Sequence, residues 1–264
     1  MLDVTKSITD TLLPHVIKTR VEGDMAQLAI LSDIHQGANL RPYLQESVKF
    51  LLSLGPNCKV IIGGDSTNTT TKHSKGSIIE EWGSGDAQIN TLVDDIRPLY
   101  ESGQLIGITS GNHPNRVFDD TYITIEMMVA SLLGDRSLYK GAMGIVYFNV
   151  NKNLYIYSIL HKHRMTEGFY DYMAADVNVF EHLHKPMAKP KVMIEHNKYT
   201  KTPVVRRGWD LYQSSFQIYP DYAKKSGMRP QIPGYFICEM GGKDRYISPY
   251  LDEEYQRIMG RRNK

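Results

Sequence analysis

The stretch "CKVIIGGD", Cys58–Asp65, decides the reading of the fold. Its apolar run is continuous rather than alternating, and turn-forming residues bound it on both sides. That pattern suits a short strand buried on both faces, the kind found in α/β sheets. The pattern recurs on either side. "AQLAILS", Ala26–Ser32, reads as a buried strand that runs into the loop "DIHQG". "QLIGITSGNHP", Gln104–Pro114, reads as a third strand with a loop at its end. Segments with helical spacing separate them. "RPYLQESVKFLLSLG" places Leu44, Val48, Leu51 and Leu52 on one side, and Gly55-Pro56 stops it. "GDAQINTLVDDIRPLYESG" does the same with Ile89, Leu92, Val93 and Ile96. Strands alternating with helices predict an α/β fold.

Further on, "DDTYITIEMMVASLLG", 119–134, reads as one helix. "GIVYFNVNKNLYIYSILHKH" reads as two strands joined by the polar turn Asn151-Lys152-Asn153, and Ala174–Phe180 as the next strand. "KPKVMIEHNKYTKTPVVRRGWDLY", 189–212, suggests antiparallel strands, whereas the Tyr-rich segment "SSFQIYPDYAKKSG" gives no firm element. There is no internal repeat, low-complexity tract or Gly/Ser-rich linker. We therefore expect one domain over residues 1–264. Residues 1–24 form an N-terminal extension, and a β-rich part over 190–264 completes or covers the site.

Composition excludes several classes. With 264 residues the chain can bury a sizeable core. A formal net charge of +2 does not mark a bulk polyanion binder. The N-terminus lacks the basic start and apolar core of a signal peptide, and no apolar run would span a membrane. Cys58 and Cys238 lie far apart with no C-x-x-C spacing, so cysteine-based zinc or redox chemistry is not expected. A reducing, cytoplasmic setting fits. The sequence leaves the oligomeric state open.

Chemistry gathers where the expected strands end. These junctions read Asp33-Ile34-His35, Gly63-Gly64-Asp65, Gly111-Asn112-His113, His161-Lys162-His163 and Glu181-His182-Leu183-His184. In open α/β sheets that edge is where ligands bind. If the last strand stays extended to its end, His182 and His184 project side by side. Carboxylate, amide and imidazole together make a mixed N/O donor set suited to Mn²⁺, Fe or Zn²⁺.

The ordered set D-x-H, G-D, G-N-H, H, H-x-H, from Asp33 to His184, resembles the calcineurin-like metallophosphoesterase superfamily. That group holds Ser/Thr phosphatases, cyclic-nucleotide phosphodiesterases, purple acid phosphatases and SbcD-like nucleases, and the motif style leans to the SbcD-like and phage kinds. The resemblance implies a four-layer α/β/β/α sandwich of two mixed sheets carrying two divalent ions, Mn²⁺ foremost, with Fe, Zn²⁺ or Ni²⁺ as alternatives. It implies that Asp33, His35 and His184 hold one ion, that Asn112, His161 and His182 hold the other, and that Asp65 bridges both. His113 would serve as general acid or steady charge in the transition state. Asn112, Arg116, His163 and Arg164 are candidates for substrate contact.

Three positions depart from the family's usual pattern. Glu181 stands where Gly usually precedes the final H-x-H, and would adjust the backbone or accept from a ligand histidine. Asp65 continues into Ser66-Thr67-Asn68. The fourth motif is H-K-H, so His161 and His163 compete as ligand, with His161 preferred at the strand end. The expected activity is phosphoester hydrolysis. Its substrate is a diester such as DNA or RNA, or alternatively a nucleotide or phosphoprotein monoester. A reading from another class is a scaffold that keeps the fold without the catalysis. Arg206, Arg207, Trp209, Tyr212, Tyr219, Tyr222, Lys224 and Lys225 offer either nucleic-acid stacking or ordinary packing.

Overall fold

A computed structural model describes residues 14–71, 74, 81–161, 175–197, 199–219, 221–227 and 229–262. The run that opened the sequence reading forms β3, Cys58–Ile62, in a sheet ordered β11-β10-β2-β3-β4. Its members are β2 (Met25–Leu31), β4 (Leu105–Ile108), β10 (Phe236–Gly241) and β11 (Ile247–Leu251). β2, β3 and β4 run parallel, while β10 pairs antiparallel with both β2 and β11. A second sheet is ordered β1-β5-β6-β7-β9-β8. It contains β1 (His15–Val21), β5 (Met143–Val150), β6 (Asn153–Leu160), β7 (Val177–Phe180), β8 (Met187–Asn197) and β9 (Thr202–Tyr212). β1–β5, β6–β7 and β7–β9 are parallel; β5–β6 and β8–β9 are antiparallel. The protein is thus α/β with two mixed sheets.

Two apolar clusters arrange the layers. One joins the five-stranded sheet to the helices α1 (Arg41–Ser53), α2 (Gly85–Glu101) and α4 (Ile125–Leu133) through Leu44, Leu51, Leu92, Ile96, Val129 and Leu133. The other lies between the sheets, with Leu28, Ile30 and Ile61 against Phe148, Tyr157 and Val179. Among the described residues no helix residue belongs to this second cluster. Nor is any helix there long and apolar enough to cross a membrane. The remaining helices are α3 (Asn112–Thr121), α5 (Asp221–Lys225) and α6 (Asp252–Arg262).

Two expectations need correction. The stretch 119–134 is not one helix. α3 already begins at Asn112 and ends where Tyr122 turns left-handed, at φ 60°. The Thr121 hydroxyl donates to the Val117 carbonyl and accepts from the Ile123 N–H, competing with the helical ladder amid β-branched neighbours. Within residues 1–24, β1 pairs over its own whole length with Gly144–Val150 of β5. Residues 190–264 contain β9, β10 and β11, and β10 is fully buried between β2 and β11. Second, the last motif strand stops at Phe180, so His182 and His184 do not continue it.

Candidate metal centre

The parallel strands β2, β3, β4, β6 and β7 all end at the same edge, and each delivers a motif there. The backbone at that edge is strained. Asp33, His35, Asp65, His182 and His184 all adopt left-handed φ, between 50° and 78°. L-residues other than glycine rarely do so, and such strain persists only where the surroundings enforce it. Asp33 N–H donates to the Gly64 carbonyl and His35 N–H to the Asp65 carbonyl, at 2.8 and 2.9 Å. Those bonds lock two strand-end loops together. Gly111 allows the closest approach: a Cβ there would collide with the backbone and carboxylate of Asp65.

The side chains converge from these loops. Asp33, His35 and His184 form one group, and Asp33, Asp65, His161 and His182 another. His35, Asp65 and His113 form a third, each with its ligand atoms within 4.8 Å of one another. Asp33 Oδ1 lies 2.9 Å from His184 Nε2, and His184 Nε2 lies 3.4 Å from His35 Nε2. Asp65 Oδ1 accepts from the His113 backbone N–H at 2.7 Å, and Asp65 Oδ2 sits 3.1 Å from His161 Nε2. That same His161 nitrogen is 2.9 Å from Asn112 Oδ1. All seven residues assigned to metal by motif are therefore neighbours. His182 and His184 reach different groups because their left-handed backbones turn them apart, not because a strand aligns them.

Supporting contacts orient the rings. His35 Nδ1 is 3.1 Å from Asn68 Oδ1 and His113 Nδ1 is 3.0 Å from the Asn68 carbonyl. Both acceptors fix a proton on Nδ1, which leaves each Nε2 lone pair facing the cluster. Asn68 is held in turn by Glu81, whose Oε1 accepts from its amide at 2.5 Å. Glu181 is fully buried, accepts from Gly64 N–H at 2.9 Å, and places Oε2 3.4 Å from His161 Nδ1. Its φ is not left-handed, so the backbone there does not require glycine. Glu181 therefore sets a carboxylate behind His161, whose Nδ1 is buried without an aligned hydrogen bond. Sequence reasoning missed Asn68 as a common support, and it missed Glu126. Glu126 is a lone carboxylate in an apolar helix, accepting from Gly111 N–H at 3.2 Å. Its one sequence signal is an acidic residue inside "ITIEMMVASLL".

Electrostatics agree with a demand for positive charge. Burial by itself would raise the Asp33 carboxyl, but His184 and His161 more than offset it and hold it at about 2. Asp65 goes well below the ordinary range, burial again being outweighed, chiefly by His161. His161 moves well above its ordinary value, because Asp65 and Asp33 overcome its burial. His35 falls well below and His182 falls to about 4, burial leading in both. Asp65 Oδ2 is buried without an aligned hydrogen bond. Buried carboxylates with converging Nε2 lone pairs fit a cation pair held by N and O donors.

Other candidates divide. Arg116 donates to Ser74 Oγ at 3.1 Å rather than to the cluster. His163 and Arg164 lie outside the described residues. Trp209 donates to the Ile247 carbonyl and Tyr212 stacks on Phe180, so both are used in packing. Arg206 pairs with Glu195, and Lys224 pairs with Asp221 beneath the Tyr219 ring. A cavity of about 290 Å³, lined in part by Thr69, Ile89, Val117 and Met128, opens one helical turn beyond His113. Comparison with known proteins adds no relative: no family model matches the chain, and no curated protein matches it.

Proposed function

We propose that the chain is a metal-dependent phosphoester hydrolase of the calcineurin-like kind, acting foremost on phosphodiesters. The observation that carries this reading is the meeting of all seven motif residues at one strand-end edge. The layer order of helices, sheet and sheet is compatible with the four-layer sandwich of that superfamily. Asp33, His35 and His184 would hold one ion and Asn112, His161 and His182 the other, with Asp65 between them. When bound, such a pair supplies Lewis-acid activation of water and of the phosphoryl group, and Mn²⁺ suits the donor set.

The protein's own part is positioning and proton transfer. Asn68 fixes His113 through Nδ1, so its Nε2, 4.0 Å from Asp65 Oδ2, is the atom that would carry a proton to the leaving oxygen. Glu181 places its carboxylate 3.4 Å behind His161 Nδ1. Asp65 receives the His113 N–H, which ties the G-D loop to the start of α3. The test is hydrolysis of bis-p-nitrophenyl phosphate and p-nitrophenyl phosphate after metal removal and separate return of Mn²⁺, Ni²⁺, Zn²⁺ or Mg²⁺. Diester cleavage restored by Mn²⁺ supports the proposal. Monoester cleavage alone redirects it to nucleotides or phosphoproteins. Two bound ions without turnover of either substrate favours a scaffold.

A further inference from the structure

β8 and β9 are the longest strands described, at 11 residues each, and they pair along their whole length. β7 covers only Trp209–Tyr212 of β9. Residues 191–208 therefore project beyond the sheet as a two-stranded ribbon, at the end opposite the metal centre. Residues paired across strands share a face. One face carries Val192, Ile194 and Val205, with Ile194 directly opposite Val205 and the Arg207 position opposite Val192. Each of these three is 67% exposed. On the same face nearer the sheet, Leu211 is fully buried between the sheets. The ribbon thus extends a core face past the second sheet and leaves it uncovered.

The backbone says which groups on the outer edge can pair. Trp209 N–H donates to the Asp176 carbonyl and Gln213 N–H to the Phe180 carbonyl, so the odd-numbered residues of β9 bond toward β7. Its even-numbered residues then bond toward β8, and the register makes their partners the odd-numbered residues of β8. Even-numbered β8 residues point their N–H and C=O outward. Pro190 has no N–H to offer, which leaves Val192 and Ile194 as the groups able to extend the sheet. Among the described residues β8 is the last strand of that sheet.

We propose that a second copy of this chain docks here, its β8 antiparallel to the first, about a two-fold axis through Met193. In that register Val192 of each copy faces Ile194 of the other, and the outward groups of all four residues bond. The four valine and isoleucine side chains of the two β8 strands merge into one apolar patch, with Val205 and Arg207 at its rims. On the opposite face Lys191 meets Glu195 of the second copy. Lys191 already lies 3.5 Å from Asp210, and Glu195 3.0 Å from Arg206. The merged row therefore alternates Asp210, Lys191, Glu195, Arg206 in sign. The lower edge of β9 suits a partner less well: Pro203 interrupts it, and it opens onto Asp176, which Arg245 occupies at 2.6 Å. The product is a closed two-fold dimer with one continuous sheet. It does not depend on the chemistry of the metal centre.

Sedimentation velocity of the full chain at tens of micromolar tests this first; a dimer is expected, and a monomer overturns it. Ile194→Lys places an unpaired lysine on each side of the interface. It is expected to weaken the dimer about a hundredfold while the far-UV circular dichroism of the folded chain stays unchanged. A dimer that persists in Ile194→Lys overturns the assignment of the surface. Met193→Cys tests the register, because a non-hydrogen-bonded pair on the axis suits a disulfide. The native Cys58 and Cys238 are buried and do not compete. Oxidation is expected to give a covalent dimer on a non-reducing gel; none forming overturns the register.

Discussion

The two halves of the candidate metal centre are built differently. On the side of Asp65 and His161, the side chains of His161 and Glu181 are fully buried and a carboxylate stands behind the imidazole, while Asn112 and His182 are half-buried. On the other side Asp33 and His35 are buried and only His184 reaches the surface. His184 keeps 23% of its side chain exposed, and the support behind His35 is the neutral amide of Asn68. A carboxylate partner raises the basicity of a ligand imidazole more than an amide does. The half that contains His161 should therefore hold its ion more tightly than the half that contains His35.

That contrast can be broken at Asp65, which both halves share. Asp65→Asn should lower diester turnover by more than about 10³-fold, since an amide bridges two cations poorly. Circular dichroism should show the fold intact, and activity within tenfold of wild type would end the two-ion reading. His113→Ala should lower turnover about 10²-fold or more while metal content stays the same. If metal analysis shows ions lost instead, His113 belongs among the ligands.

Two smaller changes sharpen the comparison. Glu181→Gln should weaken only the tighter ion, by about 10- to 100-fold in a metal titration. An equal loss at both ions would mean that Glu181 does not distinguish them. Glu126 lies behind the centre, and burial pushes its carboxyl up to about 7. An acid raised in the fold stabilises fully below its unfolded pKa, and that contribution is lost as pH rises through about 7. Metal-free Glu126→Gln should therefore melt several degrees above wild type at pH 8, on the order of 3 kcal/mol, and match it near pH 4.5. A difference independent of pH would show that Glu126 is already ionised in the fold.

Much of this was legible in the sequence because buried parallel strands read as apolar runs, and ligands cluster where such runs stop. Cys58–Asp65 and Ala26–His35 show both features within a few residues. β10 was not legible, although "YFICEMGG" is as apolar as β3, because no motif or helix flanks it. The left-handed turns at His182 and His184 were missed because a strand-end H-x-H also fits an extended chain. Asn68 was invisible for another reason. An amide that supports two histidines across 33 and 45 residues is known by its partners, not by its neighbours.

The most direct measurement is calorimetric titration of Mn²⁺ into chelator-stripped protein, with bis-p-nitrophenyl phosphate hydrolysis followed along the same series. Two ions per chain are expected, the first tighter than the second, with hydrolysis appearing only as the second binds. One ion per chain, or full hydrolysis once the first has bound, would contradict a paired centre with unequal halves.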